Sequence, residues 1–209
     1  MKITVIGASA GVGLETVKRA LERGHIVTTL SRSVVTIPSS KNLIKYQGSA
    51  TNKADLLKSI AGADAVIVAL GTGNSTKATT LYSNFGNLLT EIQNEQHLQI
   101  PFIFLTGFGA GESLNYYPFY MRIVFNLVLK DVYVDKTKME RIIAASDLKW
   151  IIARPGILTN KSLTERYKAE PELYKGIKIR FISRADVADY MIKQAENPTD
   201  LKKYVSLTG

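Results

Sequence analysis

Three glycines near the start of the chain are spaced to hold a phosphate. They stand in Gly7-Ala8-Ser9-Ala10-Gly11-Val12-Gly13, a G-x-x-x-G-x-G pattern. Gly7 permits a tight turn that a Cβ would obstruct. Gly11 lets the backbone approach a pyrophosphate, and Gly13 lets the next helix pack closely. Ala8, Ser9, Ala10 and Val12 complete the turn, where free N–H groups and the helix dipole favour negative charge. Further along, Arg32 lies between Ser31 and Ser33. An acid about 20 residues after the glycines would accept from a ribose 2′-OH. No Asp or Glu occurs between Glu22 and Asp55. A guanidinium fork flanked by hydroxyls suits a 2′-phosphate instead. The spacing therefore predicts a dinucleotide site that prefers NADP(H) over NAD(H).

The elements that position these groups are legible. An apolar, β-branched strand from Lys2 to Ile6 leads into the turn, a helix carries Leu14, Val17 and Leu21, and a second strand runs from Ile26 to Leu30. Strand, glycine turn, helix and strand make a dinucleotide-binding βαβ unit. Strands are then expected at 43–47, 65–70, 101–105, 150–153 and 203–207, with helices over 54–61, 81–96 and 135–146. Ser183-Arg184-Ala185-Asp186 reads as a capping box that opens a last helix, to about Glu196. The alternation predicts one α/β domain over 1–209, a doubly wound parallel sheet. Only a short stretch separates the sixth strand from the last helix, so the C-terminal substrate lobe is very small. The apolar segment Phe119 to Leu129 is expected to be a core helix, with a dimer face as the alternative reading.

In such a sheet ligands bind at the carboxyl ends of the strands. After the fourth strand, Gly71, Thr72, Gly73, Asn74, Ser75 and Thr76 are small enough to wrap a ribose or phosphate. After the fifth, the Thr106 hydroxyl could bond a substrate heteroatom. After the sixth comes Arg154-Pro155-Gly156-Ile157-Leu158.

Composition narrows the classes. The 209 residues contain no cysteine, which excludes disulfides, thiolate metal sites and cysteine catalysis. The net charge of +9 is spread over the helices without a basic stripe or interleaved aromatics. It suits anionic small ligands, and no nucleic-acid partner is expected. No apolar run reaches the ~20 residues of a membrane span. The N-terminus enters a core strand at once, so no targeting segment is expected and the cytoplasm is the default. His25 and His97 read as surface residues, and no metal site is expected.

The glycine spacing resembles that of the short-chain dehydrogenase/reductase superfamily. Arg154-Pro155-Gly156 resembles the R-P-G turn of its atypical members, in which the Pro-Gly turn and the next apolar residue line the nicotinamide pocket. That resemblance adds Pro155, Gly156 and Ile157 to the expected cofactor contacts. It also implies a catalytic or substrate-facing role for Thr106. The catalytic Tyr-x-x-x-Lys pair of the typical members is not matched, because Tyr133 is three residues before Lys136 and Thr137 holds the fourth place. Tyr174 and Lys178 have the spacing but follow the sixth strand, where the match reads as chance. Gly48-Ser49 replaces a usual Gly-Asp. The whole chain is similar to the flavin reductase/biliverdin-IXβ reductase and NmrA-like families.

A substrate that accepts hydride without a strong general acid fits this pattern. Flavins such as FMN or FAD and quinones do so, since solvent can supply the proton. The expected activity is NADPH-dependent reduction of such a planar acceptor, with Thr106, Tyr133 and Lys136 as the nearest polar groups. The alternative is an NADP(H)-binding redox sensor acting through a protein partner. An epimerase or dehydratase of a nucleotide sugar ranks third, for want of the tyrosine and a larger lobe. The chain is expected to be a monomer or homodimer.

Overall fold

A computed structural model describes residues 1–73 and 75–209, apart from the side chain of Val124. Its first half repeats one unit. Strand β1 (Lys2–Ile6) leads to helix α1 (Gly11–Glu22) and strand β2 (Ile26–Ser31). Strand β3 (Leu43–Gln47), helix α2 (Lys53–Ile60), strand β4 (Ala65–Val68), helix α3 (Leu81–Gln96) and strand β5 (Pro101–Leu105) follow. A 3₁₀ turn at Gly111–Tyr116 precedes helices α4 (Phe119–Val128) and α5 (Lys130–Ala144). The rest comprises β6 (Lys149–Pro155), β7 (Ile157–Thr159), β8 (Lys168–Glu170), β9 (Phe181–Ser183), α6 (Arg184–Glu196) and β10 (Lys203–Thr208).

The main sheet runs β3-β2-β1-β4-β5-β6-β10-β8. All neighbours are parallel except β10 and β8. The strand order reverses between β1 and β4, which opens a crevice at their carboxyl ends. Strands β1, β4, β5 and β6 are apolar because both faces are covered. On one side Val12, Val17 and Ala20 of α1 pack with Val187, Met191 and Ile192 of α6. On the other, Phe85 and Leu89 of α3 pack with Met139 and Ile143 of α5. No described helix is long and apolar enough to cross a membrane.

The doubly wound sheet and the small C-terminal part match the sequence reading, with several corrections. Helix α5 starts at Lys130, not Asp135, because α4 runs almost directly into it through Leu129. Strand β4 stops at Val68, although Ala69 still donates to Ile6 O at 2.8 Å. The segment Phe119 to Leu129 is helical but is not a core helix. Phe119 is 73% and Leu127 81% exposed, and Tyr120, Ile123 and Val128 are exposed too. Only Phe125 of the described α4 side chains is buried, against Gly109, Tyr117 and Tyr133. His25 is buried rather than on the surface, with Nε2 2.7 Å from Glu196. His97 ends α3 in a left-handed conformation.

The capping box forms only half of its pattern. Ser183 Oγ accepts from Asp186 N at 2.9 Å and caps α6. The Asp186 carboxylate accepts from Thr164 N at 2.8 Å and Glu165 N at 2.9 Å. It thereby ties the 160–165 segment to the start of α6. Strands β7 and β9 form a two-stranded sheet of their own, and β8 lies at the edge of the main sheet. Each has three residues, too few to show a period in sequence.

Candidate functional site

A cleft of about 590 Å³ opens along the carboxyl ends of the strands, from Gly48 and Ser49 after β3 to Thr106 after β5. The glycine turn forms its floor. A Cβ on Gly7 would run into the backbone of Ala69, and one on Gly13 into the carbonyl of Gly7. Gly11 has φ +57°, and a Cβ there would enter the cleft, with Arg184 Nε the nearest atom at 3.8 Å. Ala10 caps α1 without a side-chain hydrogen bond, and the first turn holds no acid. The start of α1 therefore presents N–H groups and a positive dipole end to the cleft. Of the turn, Gly7, Ser9, Ala10, Gly11 and Val12 line the cleft, while Ala8 is buried beneath them.

At one end the turn is braced against β2. Ser31 Oγ accepts from Ala8 N at 2.9 Å, and Ser31 O accepts from Gly48 N at 3.0 Å. Ser31 and the exposed Arg32 line the cleft, and Gln47 Nε2 donates to Arg32 O at 3.2 Å. Ser33 is exposed and lies outside the lining. Thr36 donates its hydroxyl proton to Ser9 O, folding the segment after β2 onto the turn. Gly71, Thr72, Gly73, Ser75 and Thr76 form one wall. Thr72 Oγ1 donates to Ser75 O at 2.8 Å, which closes that loop on itself. Asn74, grouped with this loop above, lies outside the described residues.

The other end gathers Thr106, Tyr133 and Lys136. Lys136 Nζ donates to Thr106 O at 2.7 Å and lies 4.6 Å from the centre of the Tyr133 ring. Burial pushes its ammonium down to about 8, against the attraction of Glu140. Burial also pushes the Tyr133 phenol up, so it stays neutral across the ordinary pH range. That hydroxyl sits where a Cβ on Gly107 would lie. The buried Thr106 hydroxyl donates to Glu140 Oε1 at 2.6 Å instead of turning into the cleft. The position four residues before Lys136 is Val132, which is buried and has no hydroxyl.

Behind this corner lies a buried ion network. Glu140 accepts from Arg154 Nη2 at 2.7 Å and Nε at 3.1 Å. Arg154, 1% exposed, also donates from Nη1 to Glu112 at 2.7 Å and packs 4.1 Å from the Tyr204 ring centre. Asp135 pins α5 to α3 by accepting from Tyr82 N at 2.8 Å and Ser83 N at 3.2 Å. Lys136 is thus set by its neighbour in sequence as well as by Thr106. The i, i+4 spacing of Lys136 and Glu140 was visible in the sequence, but the burial of Glu140, Arg154 and Asp135 was not.

The R-P-G turn lies beside the cleft lining. Pro155 O accepts from Phe108 N at 2.8 Å, and Gly156 lies so close to Arg180 O that a Cβ would collide with it. Pro155, Gly156 and Ile157 are outside the cleft lining, and Leu158 is the residue of that segment that reaches it. Tyr174 and Lys178 line a separate surface depression with β8, away from the cleft.

The described residues that line the cleft include no carboxylate and three cations, Arg32, Lys136 and Arg184. Uncapped helix N–H groups, a Gly11 Cβ position open to the cleft and an all-cationic charge set fit a dinucleotide with its phosphates. This is the site of a Rossmann-type nucleotide-binding protein. Residues 7–198 match the NAD(P)H-binding family, and the chain belongs to it. It is 28% identical over 217 residues to a Bacillus subtilis protein called uncharacterized sugar epimerase YhfK, covering 100% of this chain and 94% of that one. A short-chain dehydrogenase/reductase of Veillonella parvula, solved with NADP, superposes with TM-score 0.83 at 16% identity, over 100% of this chain and 94% of the other. ChuY, an anaerobilin reductase of Escherichia coli O157:H7, gives 0.80 at 20% identity, over 100% and 97%. At those identities the two structures speak to the fold.

Proposed function

We propose that the chain is an NADPH-dependent reductase of a planar conjugated acceptor such as a flavin or quinone. The bound dinucleotide supplies hydride, and the protein supplies orientation and charge. Arg32, with no acid beside it in the cleft lining, favours the 2′-phosphate over a free 2′-OH. The observation that carries the acceptor class is the Lys136 corner. An ammonium held to Thr106 O stands among Tyr82, Leu129, Val132, Tyr133 and Leu158, and burial keeps the Tyr133 phenol neutral. Flat apolar walls suit a conjugated ring, and Lys136 can hold a proton near a developing anion. Both favour an acceptor that needs little acid help over a sugar hydroxyl.

A second reading draws on α4. Its exposed Phe119, Tyr120 and Leu127 could carry a partner, as a dinucleotide-binding sensor would require. Purified protein with NADPH and FMN, a quinone, or no acceptor decides between them, followed by loss of the cofactor's near-ultraviolet absorbance. Acceptor-dependent turnover, slower with NADH, supports the reductase. Tight NADPH binding without turnover on any acceptor supports the sensor.

A further inference from the structure

Arg184 is the first residue of α6, far along the chain from the glycine turn, yet its Nε stands 3.8 Å from the point where a Cβ on Gly11 would lie. Its Nη1 donates to Asn160 Oδ1 at 2.7 Å. Among the described residues Nε and Nη2 make no hydrogen bond. The backbone beneath it is anchored. Ser183 caps α6, and Asp186 holds the amides of Thr164 and Glu165. The start of α6 and the 160–165 segment therefore form one unit, and the side chain is aimed by Asn160.

The group that Arg184 faces is itself positive. The start of α1 has no side-chain cap and no acid in its first turn. An uncapped helix N-terminus carries roughly half a positive charge. A guanidinium set against it is unfavourable unless an anion lies between them. The adjoining depression, which Arg184 also lines, contains Glu15 and Glu22, but Lys18 pairs with the first at 2.8 Å and Arg19 with the second at 3.8 Å. The other two cations of the cleft stand elsewhere, Arg32 at the end of β2 and Lys136 against Thr106. We infer that Arg184 closes over the pyrophosphate of the bound dinucleotide. The grip is then two-sided, with turn N–H groups on one face of the anion and a guanidinium carried by α6 on the other. Arg184 reads the feature that NADPH and NADH share, while Arg32 reads the one that distinguishes them. Asn160 is a positioning residue. This rests on the dinucleotide site proposed above.

The test is equilibrium binding of NADPH, NADH and adenosine 2′-monophosphate, which has the 2′-phosphate but no pyrophosphate. Wild type, Arg184→Ala and Asn160→Ala are compared, with circular dichroism to check folding. Arg184→Ala should weaken both dinucleotides by the same factor, roughly tenfold, since charge-assisted hydrogen bonds are the strong ones. Adenosine 2′-monophosphate should be unaffected. Asn160→Ala should show the same pattern to a smaller degree. Unchanged dinucleotide binding in Arg184→Ala overturns the inference. So does loss confined to NADPH, or an equal loss of adenosine 2′-monophosphate, which would mark a structural role. A wild type that binds none of the three overturns the dinucleotide reading itself, a separate outcome.

Discussion

Lys136 Nζ donates to the carbonyl oxygen of Thr106 at 2.7 Å, and the Thr106 hydroxyl donates in turn to Glu140 at 2.6 Å. Helix α5 and the end of β5 are thus locked by two bonds through one threonine. Its carbonyl fixes the ammonium and its hydroxyl occupies the carboxylate. In the reductase reading proposed above, Lys136 rather than Thr106 is the group offered to a substrate.

If Lys136 holds the proton, activity follows its titration. Burial sets the group at about 8, so it is protonated below that pH and neutral above it. The acceptor-dependent rate should fall as pH rises through about 8. Lys136→Met should lose the inflection together with roughly a hundredfold in rate, the low end for acid catalysis because solvent can protonate a conjugated acceptor. A pH–rate profile of both proteins checks this, and an unchanged inflection in the variant would remove Lys136 from the chemistry.

The Glu140–Arg154 pair should be costly to break and cheap to replace. Glu140→Ala leaves a buried guanidinium with only Glu112 and should destabilise by about 3–5 kcal/mol. Replacing both partners, as Glu140→Leu with Arg154→Met, should recover much of that loss. Urea unfolding of the three variants measures it, and additive losses would mean that the two side chains act independently.

Arg32 should set cofactor choice without touching the fold, since its side chain is exposed. Arg32→Ala is expected to weaken NADPH by about 1–3 kcal/mol and to spare NADH. Calorimetric titration with each cofactor tests it. Equal losses would assign the 2′-phosphate to another group.

Gly11→Val should abolish binding of both dinucleotides while the protein stays folded. A left-handed backbone costs an L-residue about 1–2 kcal/mol, and the branched side chain would fill the space the pyrophosphate needs. Retained affinity would show that the turn does not cradle phosphate.

The strands buried on both faces are the plainest in the sequence, although the half-exposed edge strand Leu43 to Gln47 is legible too. Ala65 to Val68 and Pro101 to Leu105 are continuous apolar runs because helices cover the sheet on both sides. The glycine turn was equally legible, since its chemistry lies within seven consecutive residues. Strands β7, β8 and β9 were not, because three residues show no period and their partners are distant in sequence. The segment Phe119 to Leu129 misled because its composition matches that of a core helix. Whether an apolar helix is covered depends on what packs against it, and among the described side chains of this segment only Phe125 is buried.

The candidate site divides along the same line. Local order determined the βαβ unit, the phosphate turn and the arginine where an acid would read a free 2′-OH, because each is a spacing between near neighbours. Tertiary structure alone decided that Thr106 is spent on Glu140, that Arg154 is buried and that Arg184 reaches Gly11. Those contacts join residues that only the winding of the sheet brings together, and no local pattern of side chains encodes which of them will meet.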